Sequence, residues 1–475
     1  LTKIHAERSG LLENRKDAAS QRCYGLAMIL LSFTVRNHNS IRDEITLDLV
    51  HPSLRTLQPK DRDWGSVIYP LAGIFGGNAT GKSTVLDAMR YAFTAIRLSA
   101  TAWQDSRTMH RAPFLLDGTV RTSASTYELD FVRNGRRHLY GFEVDAEGIK
   151  REWLQDIPNS RWRVLLDRDR DSNSLTLNGS LRAAGEVTSR ELMLSRALLL
   201  KKSPFHDIAR DLVDSFDVVL VKDSHREQRL KTIADSLSDG SITFPDLEAL
   251  LQVADIGVAK VSIEEKELPE RFRQAIRNLT RELRGTDEGG SKTRVTVSVE
   301  QTDEVGGLDD DQLEQVVRYL TFTHRGTGED CPPFSIHDES DGTIAWLAIG
   351  VPALETLRSG GLLAVDEVDA SLHPHLLELL LASFDDPNIN TKHAQLIFTS
   401  HESYVLSPLS EVRLAPEQVW FTDKTHEGVT ELTCLADFPK HPDANVAKRY
   451  LTGLYGGTPR LSPSTFAALV GAQEG

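Results

Sequence analysis

The stretch Gly76-Gly77-Asn78-Ala79-Thr80-Gly81-Lys82-Ser83 constrains this chain more than any other. It fits GxxxxGK[ST]. An apolar run, 66–75 (SVIYPLAGIF), precedes it, and Val85, Met89, Ala92 and Ile96 follow at three- and four-residue steps. Strand, glycine-rich turn and amphipathic helix, in that order, are the context in which such a loop wraps a phosphate. The glycines let backbone N–H groups and the helix N-terminus face an anion. Residues Gly76 to Thr84 would then line the phosphates, with Lys82 reaching the β- and γ-phosphates and Ser83 ligating Mg2+ through its hydroxyl. A chance glycine turn with a lysine in it would need neither the strand before nor the helix behind.

Three further stretches carry groups that belong beside a phosphate. Leu362-Leu363-Ala364-Val365-Asp366-Glu367 sets four apolar residues before two carboxylates. Consecutive apolar positions suit a central parallel strand buried on both faces. At its C-terminal end Asp366 would hold Mg2+ through water, and Glu367 would polarise the attacking water as general base. Upstream, Asp338-Glu339-Ser340-Asp341-Gly342-Thr343 precedes a helical run marked by Ile344, Leu347, Val351 and Leu354. Ser340 stands at the N-cap and Gly342 leaves the backbone approachable. In isolation this is an ordinary cap. Shortly before the two carboxylates it can also grip a phosphate, including one bound to another subunit. Finally, Ala394–Glu402 (AQLIFTSHE) puts His401 just past another apolar strand, where it can contact a γ-phosphate and sense its loss.

Other clusters read as structure. His373-Pro374-His375 has no third ligand at sensible spacing and marks a helix start. Asp167–Asp171 (DRDRD) reads as a solvated turn, and the Lys/Arg positions at 222–231 as a polar helix face rather than a nucleic-acid contact.

With 475 residues, 40% of them hydrophobic and 26% charged, the chain has material for roughly two to four globular domains. A net charge of -15 argues against a protein that coats nucleic acid. Cys23, Cys331 and Cys434 lie far apart with no CxxC pair, so neither a disulfide framework nor a cysteine zinc site is expected, and a cytoplasmic setting fits. No apolar run approaches the roughly 20 residues of a membrane helix. Leu26–Phe33 (LAMILLSF) reads as a buried first strand rather than a signal peptide, and residues 1–27, which open on Leu1, as an extension outside the core.

Periodicity places strands at 28–35, 44–50 and 66–75, and a hairpin at 126–133 and 137–145 about Asn134-Gly135. Between 154 and 315 amphipathic helical stretches appear (190–202, 205–216, 244–257), with a polar break at Gly285–Ser291. Strands return at 316–323, 361–365, 395–399 and 418–422. The expected fold class is therefore α/β. A mixed sheet is split into two lobes, 28–153 and 316–475, with a mainly helical insert at 154–315.

These elements, in this order and with an insert after the first half, resemble the ATP-binding-cassette type of ATPase head shared by SMC proteins, RecF and the OLD family. Asn78 in GxNxxGKS is the form found in those families. Asp366-Glu367 followed by Asp369-Ala370-Ser371-Leu372-His373-Pro374 resembles their Walker B and D-loop, with His373 where a transporter D-loop has aspartate. A narrower resemblance is to bacterial RloA-like and AbiLii-like AAA ATPases of phage-defence and abortive-infection loci. It rests on Met28–Asp48 (MILLSFTVRNHNSIRDEITLD), Pro113–Asp117 (PFLLD), Tyr140–Phe142 with Glu152-Trp153-Leu154, and Glu339–Thr343. Gln418–Phe421 (QVWF) and Arg449–Gly456 (RYLTGLYG) complete it. Leu414–Glu417 replaces the family's more basic stretch, and no Q-loop glutamine can be placed, Gln104 being the nearest candidate.

The resemblance implies a P-loop NTPase of the ABC-ATPase type that binds ATP and Mg2+ and works as a head-to-head homodimer. Lys82, Glu367 and His401 would be catalytic, and Ser83 and Asp366 would hold the metal. Ser340, Gly342 and Thr343 would close on the partner's nucleotide. It also implies an antiviral role alongside a separate effector protein. No paired DxD acids follow His401, so a nuclease in cis is not expected. DNA and membrane partners are not indicated. Two rival classes stay open: a RecF- or SMC-like DNA-binding repair ATPase, and a slow-turnover ATP-dependent scaffold or sensor.

Overall fold

The computed structural model describes residues 28–106, 108–178, 187–219, 237, 242–254, 257–266, 317–324, 332–335, 338–370, 372–439 and 445–457. The expected extension at 1–27, the basic positions at 222–231 and the polar break at 285–291 lie outside the described residues. The chain divides into two compact units, one from the residues to 225 and from 348 onward, the other from residues 226–347.

The first unit opens with β1 (Ile29–Arg36), paired antiparallel with β2 (Ile45–Asp48) so that Val35 faces Ile45. Next comes β3 (Leu71–Phe75), buried at every position, which leads through residues 76–81 into α1 (Lys82–Leu98). A short helix, α2 (Gly118–Thr122), capped by Asp117, precedes the hairpin of β4 (Ser125–Arg133) and β5 (Arg136–Val144). Asn134 and Gly135 turn it with φ of 51° and 71°, the positive values that an Asn-Gly pair accommodates. β6 (Ile149–Asp156), β7 (Arg163–Asp169) and β8 (Ser174–Leu177) extend it into a seven-stranded antiparallel sheet, β2-β1-β4-β5-β6-β7-β8. Then α3 (Met193–Leu199) and α4 (His206–Asp214) lead to β9 (Phe216–Val219).

Residues 154–219, expected to open the helical insert, therefore hold strands as well as helices and belong to the first unit. The DRDRD run is not a solvated turn at its start: Asp167, Arg168 and Asp169 lie in β7. Charges on neighbouring strands neutralise one another there. Arg151 pairs with Asp167 at 3.1 Å, Arg168 with the buried Glu152 at 3.1 Å, and Arg163 with Asp156 at 2.6 Å. Such cross-strand pairs stabilise a sheet without apolar alternation, so the strand carries little hydrophobic period.

In the second unit, α5 (Phe244–Val253) starts at a capping box between Thr243 and Asp246. β10 (Val258–Lys266), β11 (Val317–His324) and β12 (Phe334–Ser335) form a three-stranded antiparallel sheet. The indole N–H of Trp346, on α6 (Asp341–Ser359), donates to the Leu250 carbonyl at 2.7 Å.

Back in the first unit follow β13 (Leu362–Val365), α7 (Pro374–Asp385), β14 (Gln395–Ser400), β15 (Val419–Lys424), β16 (Thr430–Cys434) and α8 (Val446–Leu451). They complete a second sheet ordered β16-β15-β3-β14-β13-β9, parallel throughout except at β16. Helix α1 bridges the two sheets. Tyr91 stacks on Tyr127 of β4 at 4.7 Å, and Phe93 stacks on Phe216 of β9 at 3.9 Å. Its buried Val85, Leu86, Met89 and Ile96 each contribute about 1.5–3 kcal/mol by leaving water. A second tie is polar. A register shift in β1 falls between Leu30 and Ser32, and the buried Gln395 amide satisfies the Leu30 backbone, accepting its N–H at 2.6 Å and donating to its carbonyl at 2.8 Å. No helix among the described residues is long and apolar enough to cross a membrane.

Candidate nucleotide site

Strands β3, β14 and β13 lie side by side and parallel, so their carboxyl ends share one edge of the sheet. Ligands of open α/β sheets bind outside that edge. From β3 comes the loop 76–81, from β13 the Asp366-Glu367 pair, and from β14 His401.

The loop bends through left-handed backbone at Ala79 (φ 65°) and Gly81 (φ 110°). A Cβ at Gly81 would run into the Thr430 side chain, so a larger residue is excluded by space as well as by φ. Hydroxyls brace the loop from behind. Thr430 donates to the Thr80 carbonyl at 3.0 Å, and Thr80 Oγ1 lies 2.7 Å from Thr422 Oγ1. Ser40 Oγ lies 2.8 Å from Thr430 Oγ1 and 3.2 Å from Thr84 Oγ1. The Gly77 N–H donates to the Gly457 carbonyl. The RYLTGLYG segment is thus seated beside the loop, with Tyr450 and Tyr455 stacked on Phe421 of β15.

Lys82 is buried, and its ammonium donates to the carbonyls of Gly76 at 2.8 Å and Gly77 at 3.1 Å. Burial holds it below the ordinary lysine range, against the pull of Glu367, Asp366 and Asp369. A buried cation with two backbone carbonyls for partners suits an incoming polyphosphate. Ser83 Oγ donates to Asp366 Oδ1 at 3.0 Å, and Thr399 Oγ1 donates to the same oxygen at 2.6 Å. This hydroxyl and carboxylate set is the hard-oxygen donor type that Mg2+ takes. The Glu367 N–H donates to Thr399 Oγ1 at 2.7 Å, and Glu367 itself sits at φ 50° in the turn that ends β13. His401 is exposed, with Nδ1 3.4 Å from Asp369 Oδ2.

Among the sequence-predicted residues, Gly76 to Thr84, Asp366, Glu367 and His401 share this edge. Ser340, Gly342 and Thr343 belong to the second unit, at the start of α6. There Ser340 Oγ accepts the Thr343 N–H at 3.1 Å, as an N-cap should. His373 caps α7, its ring accepting the His375 N–H. Sequence reasoning missed Thr399, Thr422, Thr430 and Ser40. Only Thr399 left a signal, a hydroxyl that follows the apolar run Leu396–Phe398 two residues before His401.

A family profile described as "AAA domain, putative AbiEii toxin, Type IV TA system" matches residues 71–407, well over half of the chain. The chain belongs to this AAA family. The AAA match begins with β3 and ends past His401, so it takes in the phosphate loop, the Asp366-Glu367 pair and the His401 strand end in a single span. It supports an ATPase of AAA type.

A search of curated proteins gives no match. Among solved structures the chain is similar to an SMC head bound to the C-winged helix domain of ScpA, with 11% identity over 85% of this chain and 97% of that one and a TM-score of 0.40. It is also similar to the SMC head domain from Thermotoga maritima, with 13% identity, coverage of 85% and 98%, and a TM-score of 0.32. A third is the Smc head domain with an extended coiled coil bound to the C-terminal domain of ScpA from Pyrococcus furiosus, at 12%, 86% and 96%, with a TM-score of 0.36.

Proposed function

We propose that the chain is a Mg2+-dependent ATP hydrolase that works as a switch between two copies of itself. The observation that carries this reading is the Ser83–Asp366 contact at 3.0 Å beside the buried Lys82 ammonium. Lys82 would exchange the Gly76 and Gly77 carbonyls for β- and γ-phosphate oxygens, which are better partners for a desolvated cation. Ser83 and Asp366 would hold Mg2+, whose charge stabilises the transferring phosphoryl group when bound. Thr399 orients the Asp366 carboxylate and anchors the Glu367 backbone. Glu367 accepts a proton from the attacking water, and His401 meets the γ-phosphate from the end of β14. Positioning and electrostatics carry the chemistry.

Each active centre is completed by Ser340, Gly342 and Thr343 of a second copy. The N-terminus of α6 offers N–H groups to the γ-phosphate, so ATP holds the dimer and hydrolysis loosens it. The setting proposed is a cytoplasmic bacterial defence system with a separately encoded effector. Family membership and the Glu339–Thr343 and RYLTGLYG likenesses support that setting. Glu367→Gln should retain ATP binding, lose about 10²–10⁴-fold in turnover, and run as a dimer on gel filtration with ATP. Turnover at the wild-type rate would contradict the assignment of the base, and an unchanged monomer peak would contradict the dimer.

A further inference from the structure

The turn after β13 and the end of β14 bring together three ligating side chains that the nucleotide reading leaves without a complete set of partners. One ligand atom each from Asp369, His401 and Glu402 lies within 4.8 Å of the others. The Asp369 side chain is 5% exposed, and neither of its carboxylate oxygens has a hydrogen-bond partner. Buried carboxylate oxygens are ordinarily satisfied by a donor or a bound ion, so this pair calls for a partner. Lys82 and Tyr450 feel its charge, yet neither reaches hydrogen-bonding distance.

The spacing to His401 discriminates between two explanations. A charge-assisted N–H···O bond closes to about 2.7–2.9 Å. His401 Nδ1 stands 3.4 Å from Asp369 Oδ2, outside that range. Two donors each about 2.1 Å from one ion, at the tetrahedral angle, stand about 3.4 Å apart. The pair is therefore spaced as two ligands of a common cation rather than as donor and acceptor. Glu402 adds a third oxygen from a backbone fixed on both sides, its N–H and carbonyl both engaged by Ser400 Oγ.

We propose that Asp369, His401 and Glu402 form a binding site for a zinc-class divalent cation, separate from the Ser83–Asp366 pair. A site of one imidazole and two carboxylates with an open fourth position suits Zn2+, whereas Mg2+ prefers oxygen donors alone. Ligation through Nδ1 leaves Nε2 of His401 available to the nucleotide, so the ion would fix the ring that reads the γ-phosphate. The binding site itself stands without that reading.

The test is calorimetric titration of ZnCl2 into the full chain, stripped of metal and held in excess Mg2+. Wild type, Asp366→Asn and Lys82→Ala should each bind one Zn2+ per chain, although Lys82→Ala loses ATP binding. Asp369→Asn and His401→Ala should weaken Zn2+ binding by at least about tenfold, and Glu402→Gln should weaken it as well. If Asp369→Asn does not fold, the two variants at exposed positions decide the matter. Unchanged Zn2+ binding in His401→Ala and Glu402→Gln, or its loss in His373→Ala instead, would overturn the site.

Discussion

At the scale of single residues, Thr399 ties the two carboxylates of the site together. Its hydroxyl donates to Asp366 and accepts from the Glu367 backbone, so its removal frees the metal-holding carboxylate and the turn that carries the base. Thr399→Val keeps the shape and removes the hydroxyl. The Mg2+ concentration for half-maximal ATP hydrolysis should rise about 10–100-fold, while thermal stability changes little. An unaltered Mg2+ requirement would show that Asp366 is oriented by Ser83 alone. The phosphate loop and the Asp366-Glu367 pair were legible in the sequence because each carries its chemistry in consecutive residues beside an apolar strand. Ser40, Thr422 and Thr430 were not. Their hydroxyls meet the loop only when the β1–β2 connection, β15 and β16 are folded around it, and no local pattern announces a contact between residues 80 and 430.

At the scale of elements, two buried polar groups, Gln395 and His138, lie within the sheets. Gln395 joins β14 to the irregular point of β1, and Gln395→Leu would strand the Leu30 N–H and carbonyl in the core. Stability should fall by about 2–4 kcal/mol, read from the urea midpoint. A loss below about 0.5 kcal/mol would mean that Leu30 finds other partners. His138, on β5, stacks on Phe131, and burial pushes its ring down to about 4 from an ordinary value of 6.5. The native state keeps it neutral while the unfolded chain takes up a proton, so its contribution is complete above pH 6.5 and is lost as pH falls towards 4. Wild type should therefore lose on the order of 2 kcal/mol more than His138→Gln between pH 7 and 4. Parallel stability curves would contradict this. Strand periods announced β1, β4, β5 and β14 closely. They failed at β7, where Arg163, Asp167 and Arg168 are neutralised by charges on β6 that a single segment cannot reveal.

At the scale of the whole molecule, Lys82, Asp366 and His401 belong to one unit, built from described residues that precede and follow the other, and Ser340 belongs to that other unit. In the proposed dimer each centre would draw its phosphate loop from one copy and its Ser340 segment from the second. A Lys82→Ala chain and a Ser340→Ala chain should each be nearly inactive alone. Mixed in equal amounts they should recover roughly a quarter of the wild-type ATPase rate, because half of the dimers then hold one intact centre of two. A mixture that stays inactive, or a Ser340→Ala chain that hydrolyses ATP normally by itself, would contradict the shared centre.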